Sequence, residues 1–253
     1  MIVAIIQARL GSTRFPQKVL AELHGQSVLE LYIRRVLPCK EIDKVIVATT
    51  TEPEDEKIAE VCAKVGVECF RGSEDDLLDR YYQCARRYSP EAVVRLTSDD
   101  AFVDHEVVDH GVRVWRETQA DFVNNHFTAT YPEGLDTEIY SFAALERSWR
   151  EAKLKSEREH VFPYIENHQD EFKVAVFTQE TDRSDLRWTV DYPCDLDMVK
   201  QVYAHLYEKN PVFLQQEILD LLDAHPEIVA LNSHIKRKEG VNKTKANDSI
   251  VRN

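Results

Sequence analysis

No apolar run in the 253 residues is long enough to cross a bilayer, so the sequence excludes a helical membrane span. Cysteine is sparse and unpatterned. The five (Cys39, Cys62, Cys69, Cys84, Cys194) are odd in number and none is spaced CxxC. That excludes a disulfide framework and a cysteine zinc site, and reads as reduced, mostly buried thiols. Positive charge is also short: 32 Lys and Arg stand against 45 Asp and Glu, a net charge of −13. Nucleic-acid or anionic-membrane binding needs a broad basic footprint, and none is present. The first residues lack the basic lead-in, apolar core and small-residue site of a secretory leader, so a cytoplasmic location is expected. No internal repeat or linker interrupts the chain. Neither GxxxxGK[ST] nor GxGxxG occurs, which counts against P-loop NTPase and dinucleotide-binding readings.

One stretch departs from the acidic background. "IIQARLGSTRFPQK", Ile5–Lys18, places Arg9, Arg14 and Lys18 in a short loop with Gly11, Ser12 and Thr13, directly behind the apolar run Ile2–Ile6. Backbone N–H groups, hydroxyls and cations together suit a polyphosphate, although a solvated basic loop has the same composition.

The remainder supports a substantial core, with 43% hydrophobic residues. Ile2–Ile6, Val45–Ala48, Val67–Phe70 and Ala92–Leu96 read as buried strands. Helices are predicted between them, from a capping box at Ser27–Glu30, from another at Thr51–Glu54, over about 76–88 and over about 104–117. Apolar strands alternating with helices predict a mostly parallel central sheet with helices on both faces, an α/β fold. After Asp121 the pattern becomes mixed. Strand-like stretches lie at 122–124, 137–140, 173–177 and 188–190, and helices near 142–152, 156–167, 196–207 and 213–224. Residues 1–234 are expected to form a single domain, and 235–253, poor in apolar content, a flexible tail.

In such sheets ligands bind beyond the carboxyl ends of the strands. The loop after the first strand, the Thr97–Asp100 cluster and Asp191 should converge there. Asp99 is either a magnesium anchor or the N-cap of the helix beginning near Asp104. Asp100 reads as the local cap or as a group behind Asp99. Asp191 has the same two readings, but Asp195 or Cys194 can do the capping and leave it free. His160 is a substrate contact or a structural hydrogen-bonder. Asp136 and Glu138, on one face by alternation, are substrate contacts or a solvated surface.

Seven stretches occur in order: "IIQARLGSTRFPQKVL", "VIVATTTEPEDEKI", "VECFRGSEDDLLDRYYQCA", "VVRLTSDDAFVDHEVVD", "YPEGLDTEIYSF", "EREHVFPYI" and "RWTVDYPCDLDMV". Together they resemble the cytidylyltransferase family of spore coat polysaccharide biosynthesis protein F, related to CMP-KDO synthetase and acylneuraminate cytidylyltransferase. The resemblance implies a nucleotide-diphospho-sugar transferase (Rossmann-like) fold. It also implies transfer of CMP from CTP to a sugar acid, with Mg²⁺ as cofactor, and allows a homodimer. It places nucleotide contacts at Ala8, Arg9, Gly11, Ser12, Arg14, Lys18, Ser73 and Arg95. Arg9, Lys18 and Asp99 would carry catalysis, and Asp99 and Asp191 the metal. His160 and Tyr164 would hold the acceptor, with Asp136 and Glu138 as further candidates. Two departures stand out. "FPQK" replaces the family's "LPGK", so Gln17 stands where a glycine is usual, and "TSDDAF" replaces "TADCP". A glycosyltransferase of this architecture would want a DxD motif, which "SDDA" is not. A transferase using another nucleotide, or a non-catalytic nucleotide binder, stays open on residues alone.

Overall fold

Five consecutive apolar residues make Ile2–Gln7 (β1) a strand buried on both sides. Ile2, Ala4 and Ile6 face one hydrophobic cluster, and Val3 and Ile5 face the other. The computed structural model describes residues 1–237 and 239–251. After β1 comes a two-residue-strand hairpin, Glu22–Leu23 (β2) and Gln26–Ser27 (β3). Then follow Val28–Val36 (α1), Lys44–Thr50 (β4), Glu56–Val65 (α2), Glu68–Gly72 (β5), Leu77–Ala85 (α3), Ala92–Thr97 (β6) and His105–Thr118 (α4). The second half holds Phe122–Asn124 (β7), Glu138–Ser141 (β8), Phe142–Glu151 (α5), Lys155–His160 (α6), Pro163–Asn167 (α7) and Val174–Val176 (β9). Pro193–Leu206 (α8), Gln215–Ala224 (α9), Pro226–Val229 (α10) and Glu239–Ala246 (α11) complete the order.

The seven-stranded sheet runs β5-β4-β1-β6-β8-β7-β9, and only β8 is antiparallel to its neighbours. The chain leaves β1 toward β4 and β5, then crosses back to place β6 on the other side of β1. That reversal opens a crevice beyond the carboxyl ends of β1 and β6, where such sheets bind ligands. The mostly parallel sheet, covered by helices on both faces, is the arrangement that the apolar strand runs imply.

Helix starts follow side-chain chemistry. Ser27 caps α1 by accepting from Glu30 N at 3.1 Å, and Asp104 caps α4 by accepting from Glu106 N at 2.8 Å. The second expected capping box is absent. A 3₁₀ turn spans Pro53–Asp55, and the buried Asp55 instead accepts from the Thr49 hydroxyl, from Thr50 and from Leu10 N. The helix expected over 156–167 is two helices, broken by a positive φ of 68° at Val161 and by Pro163 at the first position of α7. The segment 188–190 is extended but joins no ladder. Its N–H groups are taken by turns, Trp188 N donating to Glu133 O at 2.7 Å and Val190 N to Asp99 O at 2.8 Å.

The expected flexible tail carries structure among its described residues. Helix α11 packs against α6, and Ile250 bridges Leu154. Arg237 binds Asp136 at 2.7 Å, and Asp248 accepts from Ser156 N at 3.0 Å. Among the described side chains the contacts that hold this segment are polar, which a hydrophobic pattern does not reveal. Residues 238, 252 and 253 of that expectation lie outside the described residues.

Candidate active site

The basic loop is fixed at its base by buried Asp55, whose carboxylate accepts from Leu10 N at 2.9 Å. It is closed by Gln17 N donating to Leu10 O at 3.1 Å. Gln17 has φ 58° and ψ 21°, the left-handed conformation that glycine adopts most cheaply. The turn that the usual glycine would make is therefore kept, at the cost of strain in Gln17. It delivers Lys18 into a short 3₁₀ turn with its side chain buried.

Lys18 Nζ donates to Asp99 Oδ2 at 2.6 Å and to Asp191 Oδ1 at 2.8 Å. Residues 81 and 173 positions away thus meet on one ammonium. The two carboxylate oxygens can be no further apart than the sum of those contacts. The backbone makes the pairing, since Val190 N donates to Asp99 O. Neither aspartate caps a helix. Asp104 caps α4, and Asp195 accepts from the N–H groups of Asp191 and Tyr192, both at 2.9 Å. Asp191 also binds Arg14 at 2.7 Å and Arg187 at 3.4 Å. Burial opposes the charge of Lys18, but Asp99 and Asp191 outweigh it and hold the ammonium above its usual range. Burial likewise opposes ionisation of Asp191, and Lys18, Arg14 and Arg187 hold it below the usual carboxylate value. Asp100 is not a cap. It is buried behind Asp99, bonded to the Thr97 hydroxyl, and burial, Asp99 and Asp136 push it well above the carboxylate range.

These groups line a cleft of about 1040 Å³. Ala8, Arg9, Gly11, Ser12, Arg14 and Lys18 form one side, with Arg9 exposed at the loop. The Ala8 N–H is already used, donating to Ala48 O at 3.2 Å. Asp136, Glu138 and His160 also line it. Arg95 and Glu138 also face the cleft but neutralise each other in a buried pair at 2.6 Å, set by their register on β6 and β8. Burial works against Glu138, and Arg95 and His126 keep it ionised below its usual value. Burial and the nearby Arg95 guanidinium push His160 down to about 4, so it is neutral at physiological pH.

Two expected contacts do not reach the cleft. Tyr164 is buried in the second core against Phe172, and its hydroxyl donates to Glu151 at 2.8 Å. Ser73 is a turn residue whose hydroxyl accepts from Asp76 N at 3.1 Å, and it is not among the lining residues. Other lining residues escaped the sequence reading. Arg187 donates to Asp195 at 2.9 and 3.1 Å and to Glu133 at 2.7 Å, clamping the Asp191 segment to the 132–134 turn. Its spacing, four residues before Asp191 and eight before Asp195, was the available signal. Arg80, buried on α3 and lowered to about 10 chiefly by that burial, donates to Ser73 O at 3.1 Å and has no acidic partner within hydrogen-bond reach among the described residues. An arginine inside "LLDRYYQCA" was its only mark.

Among the described residues, no group of three or more His, Cys, Asp or Glu side chains could hold a metal ion unaided. Two carboxylates converging on one cation do fit Mg²⁺ in company with phosphate oxygens, which commonly complete its octahedral shell. The ammonium of Lys18 marks the position of positive charge between them.

A profile of the cytidylyltransferase family matches residues 3–220. Spore coat polysaccharide biosynthesis protein SpsF of Bacillus subtilis is 31% identical over 234 residues, covering 89% of this chain and 95% of that protein. A 3-deoxy-manno-octulosonate cytidylyltransferase of Chlorobium chlorochromatii is 35% identical over 109 residues, 42% of each chain. The structure of a cytidylyltransferase from Leptospira borgpetersenii superposes with a TM-score of 0.88 at 32% identity, covering 93% of this chain and 99% of that one.

Proposed function

The chain belongs to the cytidylyltransferase family, and from that premise we propose that it transfers CMP from CTP to a hydroxyl of a sugar acid, releasing pyrophosphate. The observation that carries this reading is the meeting of Lys18, Asp99 and Asp191 beside Arg9 and Arg14 at the mouth of one cleft. A nucleoside triphosphate brings several negative charges, and the loop offers three cations within one turn of chain. Arg9, Arg14 and Lys18 bind the β- and γ-phosphates and offset the charge that develops on the leaving pyrophosphate. The acceptor oxygen forms its bond to the α-phosphorus as the bond from that phosphorus to the bridging oxygen breaks. The bridging oxygen keeps the electron pair, and the hydroxyl proton passes to solvent water. The protein contributes alignment and charge stabilisation rather than covalent chemistry. Asp99 and Asp191 would hold Mg²⁺, which supplies Lewis acidity toward phosphate and acceptor oxygens when bound. Asp136 and His160 border the acceptor end, where a neutral imidazole suits sugar hydroxyls.

The test is pyrophosphate release with each of the four ribonucleoside triphosphates against a panel of sugar acids, alongside binding titrations with Mg²⁺. CTP should bind most tightly and alone support turnover. Equal affinity for all four, or preference for a purine nucleotide, would sink the assignment.

A further inference from the structure

The family match ends at residue 220, yet the chain goes on to border the cleft. Resting on the transferase reading above, we propose that Thr244, Ser249 and Val251 form one wall of the acceptor subsite and that Thr244 is a specificity-determining residue reading an acceptor hydroxyl. Thr244, Ser249 and Val251 line the cleft, beside His160 and Lys155 of α6. The wall is built rather than draped. Arg237 binds Asp136 Oδ1 at 2.7 Å and Tyr131 O at 3.0 Å. At the far end Lys155 N donates to Ser249 O at 2.8 Å, and Val251 N donates to Lys153 O at 2.9 Å. Between these anchors Asp248 accepts from Ser156, and Lys245 pairs with Glu166.

Thr244 Oγ1 lies 3.1 Å from His160 Nε2. That contact orients the threonine hydroxyl at the cleft surface. Two acidic side chains at this end are engaged, Glu138 by Arg95 and Asp136 by Arg237, and Glu159 lines the cleft beside them. What this end offers a ligand is hydroxyls, a neutral imidazole, the exposed Lys155 and the carboxylate of Glu159. This set suits a polyhydroxylated chain bearing one carboxylate. The hydroxyl-bearing part faces Thr244 and Ser249, and the carboxylate faces Lys155. Because the wall lies outside the matched family region, acceptor choice can vary here without disturbing the nucleotide loop.

The experiment uses the full-length chain with CTP, Mg²⁺ and two acceptors, 3-deoxy-manno-octulosonate and N-acetylneuraminate. Thr244→Val keeps shape and removes the hydroxyl, and Thr244→Ser keeps the hydroxyl. Thr244→Val should raise the acceptor KM about three- to tenfold, the worth of one neutral hydrogen bond. The CTP dissociation constant and melting temperature should hold, and Thr244→Ser should restore KM. An unchanged acceptor KM in Thr244→Val, or an equal loss for CTP and acceptor, overturns the role of the wall and leaves the transferase reading standing. Wild-type chain that releases no pyrophosphate with either acceptor overturns the sugar-acid reading and this inference with it.

Discussion

Replacing Lys18 by methionine removes one positive charge from between two carboxylates. The nonpolar chain of similar length keeps the buried volume filled. Asp99 loses its 2.6 Å partner, and Asp191 keeps only Arg14 at 2.7 Å and Arg187 at 3.4 Å. Breaking a fully buried pair costs about 3–5 kcal/mol. Here Asp99 keeps 28% of its side chain exposed and Asp191 15%, so water screens part of the loss. The expected destabilisation is about 1–3 kcal/mol, at about 2–4 °C of melting temperature per kcal/mol for a chain of this size. The informative part is the response to Mg²⁺ without nucleotide. In the wild type Lys18, Arg14 and Arg187 together already balance the two carboxylates, and millimolar Mg²⁺ should barely move the melting temperature. In Lys18→Met the two carboxylates face each other and a divalent cation should restore much of the lost stability by binding the folded state. Turnover should still fall by about 10²–10³-fold, since the donor to the leaving group is gone. Thermal melts of both proteins with and without MgCl₂ decide the matter. If the variant melts like the wild type, or both respond equally to Mg²⁺, the three residues do not form one electrostatic unit and the shared-cation site is wrong.

Asp99→Asn and Asp191→Asn should each remove most turnover, and the double variant should be little worse than either, because groups acting on one ion are non-additive. Additive losses in a kinetic cycle would show two independent roles. Gly134→Ala should destabilise by about 3 kcal/mol or more, measured as a lower denaturant midpoint. At φ 107° its new Cβ would stand 2.7 Å from Trp188 C and 2.9 Å from Thr189 N, backbone atoms that cannot step aside. His160 makes stability pH-dependent with a definite sign. Folded, it stays neutral down to about pH 4, whereas the unfolded imidazole takes a proton near 6.5. The unfolded state binds more protons between those values, so this contribution is complete above pH 6.5 and is lost as the pH falls toward 4. Denaturation midpoints across that window should fall more steeply for the wild type than for His160→Gln.

The parallel half of the fold was legible because strands buried on both faces carry continuous apolar runs, as Ile2–Ile6, Val45–Ala48 and Ala92–Val94 do in β1, β4 and β6. The second half was blurred where backbone groups are satisfied outside ladders. Trp188–Val190 reads as a strand by composition, but its N–H groups go to Glu133 and Asp99. The break at Val161 was hidden, since nothing in "EREHVFPYI" except Pro163 shows that a β-branched residue will take a positive φ. Helix α11 was hidden for the opposite reason. Among its described side chains, Thr244, Lys245 and the following Asp248 make polar docking contacts.

In the site, residue type at a strand end was a good guide and pairing was not. Lys18 could be singled out in the one basic loop, Asp99 because it closely follows a buried strand, and Asp191 because it follows an apolar run. The sequence offered Asp195 or Cys194 for the capping work, and the structure gives it to Asp195. Ser73 and Tyr164 show the limit: similarity of position put them near the ligand, but one is consumed by a turn and the other by the core. Arg187 shows the converse, since its partners Glu133 and Asp195 lie 54 and 8 residues away and only the fold unites them. The resulting cleft is charge-balanced before any ligand arrives. Lys18 and Arg14 are engaged by Asp99 and Asp191, so a bare triphosphate would have to detach cations while facing two carboxylates. A triphosphate accompanied by a divalent cation avoids that conflict, because each lysine or arginine can exchange a carboxylate for a phosphate while the carboxylates turn to the metal. The ligand-free pairing of Lys18 is thus a physical reason to expect CTP to enter as its metal complex, with exposed Arg9 making the first encounter with the phosphates.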